Sequence, residues 1–198
     1  MALAPEIGLL GGSFDPVHRA HIALALAALD TLALDHVELL PAAQPWQRST
    51  LNASPEHRLR MLELACRDEP GLQVNPLELE RAGPTYTLDT LRALPQGPRY
   101  TWIMGADQLV NFCTWHDWRE IIRLVRLAVA QRPGTPLTTP PALAKALPAG
   151  ALQLIPFTAR NISATSIRRS LAAGRPADDM LDQRVLDYIH VHQLYRHR

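Results

Sequence analysis

An apolar run that leads into a segment rich in glycine and histidine constrains the fold of this chain more than any other stretch. Ile7–Leu10 is apolar and has the length of a strand, and the sequence GGSFDPVHRAH follows it at residues 11–21. Apolar residues then recur at helical spacing, at Ile22, Ala25, Leu26 and Leu29. This pattern predicts a strand, a glycine turn and a helix from residue 18 to about residue 30.

The segment at residues 11–21 has the chemistry of an anion site. Gly11 and Gly12 let the backbone approach a ligand closely because neither residue has a Cβ atom. The start of a helix offers unpaired N–H groups and a partial positive charge, which suit a phosphate group. His18 and His21 lie three residues apart and therefore share a face in a helical first turn. The HxxH pattern alone is common among surface histidines, so the preceding glycines are what favour a phosphate site.

Further apolar runs of strand length alternate with helical segments along the chain. Strands are predicted at 36–40, 72–75, 100–104, 127–130 and 152–156, and helices at 55–67, 87–94, 115–123, 165–173 and 181–192. Residues 133–150, rich in proline and threonine, are predicted as a loop with at most a short helix at 142–147. This alternation predicts an α/β fold, a doubly wound parallel sheet with helices on both faces.

Length, charge and cysteine content limit the class of protein. The 198 residues are predicted to form one domain, 1–198, whose C-terminal helical part at about 163–198 packs on the sheet. The formal net charge of +1 gives no overall attraction to nucleic acid or to a membrane. Cys66 and Cys113 match no metal or redox spacing, and no segment has the length of a membrane span. We therefore expect a soluble, cytoplasmic protein with reduced thiols.

Two motifs in the chain resemble the signatures of one superfamily. Residues 11–21 resemble the GGxFDPxHxGH signature of the nucleotidyltransferases that carry paired histidines. Residues 162–168, with the sequence ISATSIR, resemble the second signature of that superfamily, ISxTxxR. Within the superfamily the chain is most similar to the nicotinate-nucleotide adenylyltransferases, and the resemblance extends from Ile7 to about Tyr195. The chain departs from the first signature at Ala20, where members usually have glycine.

The resemblance implies a Rossmann-like fold and an adenylyl transfer in NAD biosynthesis. The 5′-phosphate of nicotinate mononucleotide would attack the α-phosphorus of ATP, so that deamido-NAD forms and pyrophosphate leaves. Mg²⁺ is expected with ATP, held by the substrate phosphates and not by a carboxylate cage of the protein. Three alternatives stay open: nicotinamide mononucleotide as the acceptor, phosphopantetheine as the acceptor, or a nucleotide-binding sensor module without catalysis. The oligomeric state also stays open.

The resemblance also implies roles for residues of the two motifs. His18, His21 and Arg168 are expected to be catalytic, because they would donate hydrogen bonds to the phosphates of ATP. The expected ATP-binding residues are Gly11, Gly12, Ser13, Phe14, His18, His21, Gly105, Asp107, Ile162, Ser163, Thr165 and Arg168. Helix capping is the alternative role for Ser163, Thr165 and Asp107. Asp15 is expected to accept hydrogen bonds from loop N–H groups.

The implied acceptor site draws on several separate loops. The residues expected to bind nicotinate mononucleotide are Ser13, Arg48, Thr85, Tyr86, Thr87, Trp115 and Arg132. Packing in the core is the alternative role for Trp115, and Arg132 is alternatively a plain loop cation. Relatives commonly carry a histidine at the position of Gln47, so the role of Gln47 stays open.

Overall fold

A parallel sheet of six strands lies at the centre of the described structure. The computed structural model describes residues 4–44, 51–81, 83–132, 134–158 and 162–196. The strands are β1 Glu6–Gly12, β2 His36–Pro41, β3 Leu72–Val74, β4 Arg99–Gly105, β5 Arg126–Gln131 and β6 Leu152–Pro156. Their order is β3-β2-β1-β4-β5-β6, and all neighbouring pairs are parallel. The predicted parallel sheet is therefore confirmed.

Eight α-helices accompany the strands within these ranges. They are α1 Arg19–Thr31, α2 Pro55–Cys66, α3 Thr87–Ala93, α4 Ala106–Val110, α5 Trp118–Leu124, α6 Pro141–Ala146, α7 Ala164–Ala172 and α8 Gln183–Val191. Sequence periodicity does not predict α4, because a single short turn of helix is too brief to show a repeat. The predicted helix at 115–123 starts too early, since a 3₁₀ turn at Phe112–Thr114 and a left-handed Asp117 (φ 47°) precede α5.

Two apolar cores lie on opposite faces of the sheet. Neighbouring strand residues alternate between the cores, so Leu10 of β1 belongs to the first core and Leu9 to the second core. Residues of α1, α2 and α8 pack on the Leu10 face, and residues of α3 and α5 pack on the Leu9 face. Helices on both faces of the sheet are therefore confirmed. The organisation of residues 1–198 as one domain stays a prediction.

Helix starts beside the sheet follow ordinary capping chemistry. The Oγ of Ser54 accepts a hydrogen bond from the N–H of His57 at the start of α2, where Pro55 occupies the first helical position. Ser163 caps α7 in the same way through the N–H of Ser166. None of the helices in the described ranges is both long and apolar enough to cross a membrane.

The predicted glycine turn is wrong, because Gly11 and Gly12 are still strand residues. They pair with Leu40 and Pro41 of β2. The chain turns only at Asp15–Pro16, where the peptide bond is cis. The pairing of β1 with β2 therefore continues through both glycines, and the next residues of the chain lie beyond the edge of the sheet.

Tight packing explains why two glycines end β1. A Cβ atom at Gly11 would lie 2.8 Å from Cζ2 of Trp102, and one at Gly12 would lie 3.0 Å from Cζ of Phe14. Both distances are shorter than ordinary carbon–carbon contact. The two aromatic rings thus occupy the space that side chains at these positions would need.

The order of the strands places a topological switch point at the carboxyl ends of β1 and β4. Connections run to one side of the sheet from β1 and to the other side from β4, so the strand order reverses between them. In open α/β sheets ligands bind at such a switch point. The loops that follow β1, β4 and β6 carry most of the residues predicted to contact ATP.

Replacing Gly11 with alanine is expected to lower the free energy of unfolding by about 1–3 kcal/mol, because the new methyl group would overlap the Trp102 ring. Urea denaturation followed by circular dichroism measures the change. Trp102→Phe removes both ring atoms that the methyl group meets. The double variant should therefore lose less stability than the two single losses combined, and additive losses would contradict the packing role of Gly11.

Candidate active site

The segment between β1 and α1 is irregular and mostly buried. Phe14 has a left-handed backbone (φ 45°), and its side chain is buried in the core beside Gly12. The Phe14 ring meets the His21 ring edge-on, with 5.0 Å between the centroids. The side chain of Phe14 therefore supports His21 from the core side, and only the backbone of Phe14 is placed to meet a phosphate.

His18 and His21 stack face to face at the start of α1. Their ring centroids are 3.6 Å apart, and the ring planes are inclined by 17°. The backbone N–H of His18 donates to Nδ1 of His21 over 3.2 Å. Because a backbone N–H can only donate, this Nδ1 is unprotonated, and neutral His21 carries its proton on Nε2. The bond therefore fixes His21 as a donor through Nε2–H.

Burial keeps His18 in its neutral form. The residue is only 7% exposed, and the loss of hydration lowers the pKa of its imidazole from 6.5 to about 4. Its Nδ1 is buried and has no hydrogen-bond partner among the residues that the structure describes. A buried polar atom without a partner is unfavourable. His18 therefore brings an unsatisfied nitrogen to the N-terminus of a helix.

Asp15 holds the segment together through its buried carboxylate. Oδ2 accepts the N–H of Asn52 at 2.7 Å, and Oδ1 accepts the N–H of Ala53 at 3.1 Å and the hydroxyl of Tyr195 at 2.7 Å. Burial, and then the charge of Asp15, raise the pKa of Tyr195, which keeps its hydroxyl a donor. The expectation that Asp15 accepts loop N–H groups is confirmed, although these groups belong to the loop before α2.

The two sequence motifs meet through Arg168. Its guanidinium donates from Nη1 to the backbone carbonyl of Asp15 over 2.7 Å, and from Nη2 to Oγ1 of Thr165 over 3.4 Å. Thr165 therefore braces Arg168. The exposed Ser163 is engaged in capping α7, and Ile162 packs against the first core. The second motif thus places one half-buried cation on the loop that precedes α1.

Arg58 is a residue of this site that sequence reasoning missed. It is completely buried and donates from Nη1 to the carbonyl of Ser13 over 2.8 Å. Burial lowers the pKa of Arg58, and the charge of Asp15 opposes that shift. Its position was detectable: Arg58 lies one helical turn before Leu62, which the pattern of α2 predicts to face inward. A charged residue at an inward position of a helix was the available signal.

The loop at residues 85–87, which is predicted to bind the acceptor, touches the loop that follows β2. Thr85 and Gln44 exchange two hydrogen bonds, because the N–H of Thr85 donates to the Gln44 carbonyl and the N–H of Gln44 donates to Oγ1 of Thr85. Tyr86 forms the N-cap of α3, and its ring packs on His116 with 4.8 Å between centroids. His116, which the sequence analysis does not single out, is therefore a further residue beside the predicted acceptor loop.

Trp115 lies at the border of the second core. Its ring is half-buried against Phe112, at 5.0 Å, and meets Trp102 edge-on at 6.2 Å. Its indole Nε1 is buried and lacks a hydrogen-bond partner within the described ranges. Core packing therefore accounts for part of the Trp115 surface, and the rest of the side chain is exposed.

The other predicted residues lie at the same edge of the sheet but do not form one cluster. Asp107 is exposed, and its Oδ1 occupies the space beside Gly105, 2.6 Å from where a Cβ atom would lie. Arg132 follows β5 and is exposed. Arg48 and Gln47 fall outside the described residues. No group of three His, Cys, Asp or Glu residues in the described part of the chain could hold a metal ion.

Comparison with known proteins gives consistent matches over nearly the whole chain. Residues 9–170 match a family model described as cytidylyltransferase-like. A Bordetella pertussis protein named "Probable nicotinate-nucleotide adenylyltransferase" is 57% identical over 96% of this chain and 98% of its own length. A Bordetella petrii protein of the same name is 58% identical over 96% of this chain and 99% of its own.

A solved structure shares the fold. The Plasmodium falciparum nicotinic acid mononucleotide adenylyltransferase complexed with NaAD matches with a TM-score of 0.76 at 18% identity. The match covers 96% of this chain and 97% of the other. It extends the agreement from the sheet to the helices packed on both faces.

His18 is expected to stay neutral over the range in which free histidine titrates, because its pKa lies near 4. Imidazole resonances of the ligand-free protein, followed by NMR from neutral to acidic pH, measure this directly. A His18→Gln variant identifies the signal. A His18 midpoint near the ordinary value would show that the ring is hydrated and would contradict this account.

The same shift predicts how stability depends on pH. As the pH falls below about 6.5, unfolded His18 takes up a proton that folded His18 does not bind, so the unfolded state gains stability. Between about pH 7 and about pH 5 the wild type should lose about 2 kcal/mol more stability than His18→Gln. Urea denaturation at both pH values gives the difference, and equal losses would contradict the prediction.

Proposed function

Because the chain belongs to the cytidylyltransferase-like family and, within it, to the nicotinate-nucleotide adenylyltransferases, we propose that it transfers the adenylyl group of ATP to nicotinate mononucleotide. The products are deamido-NAD and pyrophosphate, and the reaction belongs to NAD biosynthesis. One observation carries the location of this chemistry. The imidazoles of His18 and His21 stack at the start of α1, and the guanidinium of Arg168 binds the carbonyl of Asp15 in the segment that leads into this helix.

The reaction needs alignment of anions more than it needs a base. A phosphate monoester has a second pKa near about 6 and is mostly dianionic at neutral pH. One of its oxygens forms a bond to the α-phosphorus of ATP, while the bond from that phosphorus to the bridging oxygen breaks and pyrophosphate leaves. Positioning of the two anions and stabilisation of the growing charge are then the main tasks of the protein.

The paired histidines and the helix start are suited to the α-phosphate. The Nε2–H of His21 is a donor with a fixed tautomer, and the unpaired nitrogen of His18 gains a partner when a ligand binds. The first N–H groups of α1 add donors and a partial positive charge. Because His18 is neutral, it acts as a hydrogen-bonding group and not as a fixed charge.

Arg168 supplies the positive charge on the leaving-group side. Two of its N–H donors are used to brace it against the loop and Thr165, and a guanidinium has five. The other donors are assigned to the β- or γ-phosphate. Gly11, Gly12, Ser13, Phe14, Gly105 and Asp107 complete the proposed ATP site, with Ile162 and Ser163 positioning the start of α7.

The acceptor side is proposed to lie where the Thr85–Thr87 loop meets the loop after β2. The resemblance assigns the nicotinate ring to the exposed part of Trp115 and to N–H groups near Tyr86. The hydrogen bonds between Thr85 and Gln44 hold these two loops at a fixed separation. Arg48, Arg132 and Ser13 are proposed to meet the phosphate of the acceptor.

Mg²⁺ is proposed to enter as the metal complex of ATP. The buried oxygens of Asp15 already accept hydrogen bonds from protein donors, so they are poorly placed to act as metal ligands. In enzymes that use nucleotides, Mg²⁺ commonly keeps several water ligands and is bound by oxygens of the substrate phosphates, with only one or two carboxylates from the protein. The metal would therefore neutralise phosphate charge on the side of the substrate.

Replacing His18 with alanine is expected to lower kcat by about 10²- to 10³-fold, the usual effect of losing one donor to a developing charge. Pyrophosphate release with ATP, Mg²⁺ and nicotinate mononucleotide measures it. His190→Ala, an exposed histidine on α8, is the matched control and should retain full activity. An unchanged rate in a folded His18→Ala protein would remove His18 from the mechanism.

Acceptor choice is tested with the wild-type protein. Nicotinate mononucleotide is expected to give the highest kcat/KM, with nicotinamide mononucleotide and phosphopantetheine well below it. Product formation with each acceptor can be compared by chromatography under identical conditions. A higher kcat/KM with another acceptor would overturn the substrate assignment, and ATP binding without any transfer would favour a sensor module.

A further inference from the structure

We propose that Arg58 is a positioning residue for ATP, because its guanidinium turns the Ser13 carbonyl away from the phosphate site and thereby aims the next N–H into it. This inference rests on the proposed function, since it deepens the account of the same site. Arg58 belongs to neither sequence motif. Its side chain is completely buried and reaches the proposed phosphate-binding segment from the interior of the protein.

The environment of Arg58 is unusual for a residue that only adds stability. The side chain is completely buried, and its two hydrogen-bond acceptors are backbone carbonyls, of Ser13 at 2.8 Å and of Ala43 at 3.4 Å. Its Nε has no partner among the described residues. A buried cation with incomplete hydrogen bonding is costly compared with an apolar side chain of similar volume. The contact with Ser13 is therefore the feature that needs a functional explanation.

The geometry of the peptide group means that this contact fixes the direction of the N–H of Phe14. The Ser13–Phe14 peptide is trans, since the cis bond of this segment is Asp15–Pro16. In a planar trans peptide the C=O and the N–H point in opposite directions. When Arg58 holds the carbonyl of Ser13 on the core side, the N–H of Phe14 must point the other way. That side is assigned to the phosphate site at the start of α1.

A second guanidinium, that of Arg168, also donates a hydrogen bond to a backbone carbonyl of this segment. Arg168 binds the carbonyl of Asp15 at 2.7 Å, as Arg58 binds the carbonyl of Ser13. The negative ends of both peptide dipoles are thus held by cations. Without Arg58, the Ser13 carbonyl would lose its buried partner, and a rotated peptide would present an oxygen to an anion. That rotation would weaken binding of ATP more than binding of the acceptor.

The test compares Arg58→Met with Arg58→Lys and Arg60→Met. Methionine keeps much of the volume and removes the donors, lysine retains one charged donor that can reach a single carbonyl, and Arg60 is an exposed arginine on α2, paired with Glu63. Arg58→Met should lower kcat/KM for ATP by about 10²-fold, the effect of losing one oriented donor. It should raise the KM for nicotinate mononucleotide by a smaller factor, because Ser13 also belongs to the proposed acceptor site. Arg58→Lys should recover part of the loss, and Arg60→Met should match the wild type.

Calorimetric binding of α,β-methylene-ATP gives a readout that needs no acceptor and no turnover. Its Kd should rise in Arg58→Met, to a smaller extent in Arg58→Lys, and not in Arg60→Met. A variant with a reduced folded fraction would show a lower kcat with an unchanged Kd and unchanged KM values, and that result would overturn the proposal. Wild-type kinetics in a folded Arg58→Met protein would overturn it as well.

Two further outcomes are also decisive. If Arg58→Met does not fold, Arg58→Lys decides the matter: a raised Kd for the ATP analogue supports positioning, and an unchanged Kd overturns it. If the wild type releases no pyrophosphate with nicotinate mononucleotide, the proposed function fails. The Kd comparison still tests Arg58 in that case, because it measures nucleotide binding alone.

Discussion

Hydrogen bonds from distant side chains to the irregular segment after β1 are the constraint on which the rest of the structure depends. This segment belongs to no strand or helix, so its buried backbone groups need other partners. The Ser13 carbonyl has Arg58, the Asp15 carbonyl has Arg168, and the Asp15 carboxylate holds Tyr195 and the loop at Asn52. These partners come from different parts of the chain. The proposed phosphate site therefore forms only when the whole fold is in place.

The sheet supplies the frame that makes these contacts possible. Strand order reverses between β1 and β4, and the parallel arrangement brings the carboxyl ends of all strands to one edge. The loops that follow β1 and β2 therefore meet at that edge, where Asp15 binds Asn52 and Ala53. Tyr195, which follows α8, joins them although it lies 180 residues from Asp15 in sequence. The site then contains two kinds of nitrogen group, one neutral and one positively charged. His18 is held neutral for hydrogen bonding, and the arginines keep the positive charge.

Much of the fold could be predicted because local patterns and global structure agree. The apolar runs match the strands closely, and the cap at Ser54 with Pro55 marks the start of α2 as its chemistry predicts. Errors occurred where packing decided the outcome. Gly11 and Gly12 predict a turn, but they continue β1 by pairing with β2, and they are glycines because the Trp102 and Phe14 rings leave no space for a Cβ atom. Helix α4 was missed because its five residues are too few to show a repeat.

The alternation of strands and helices, the paired histidines at a helix start and the two motifs that identify the family can all be found in the amino-acid sequence. These features are local, so spacing and residue chemistry are enough to find them. Three further properties arise only in the folded chain: the His18 and His21 rings stack, burial lowers the pKa of His18, and Arg58 lies behind the phosphate segment. Such properties depend on which distant groups exclude water from a side chain and which carbonyl it reaches. No spacing along the chain specifies either of them.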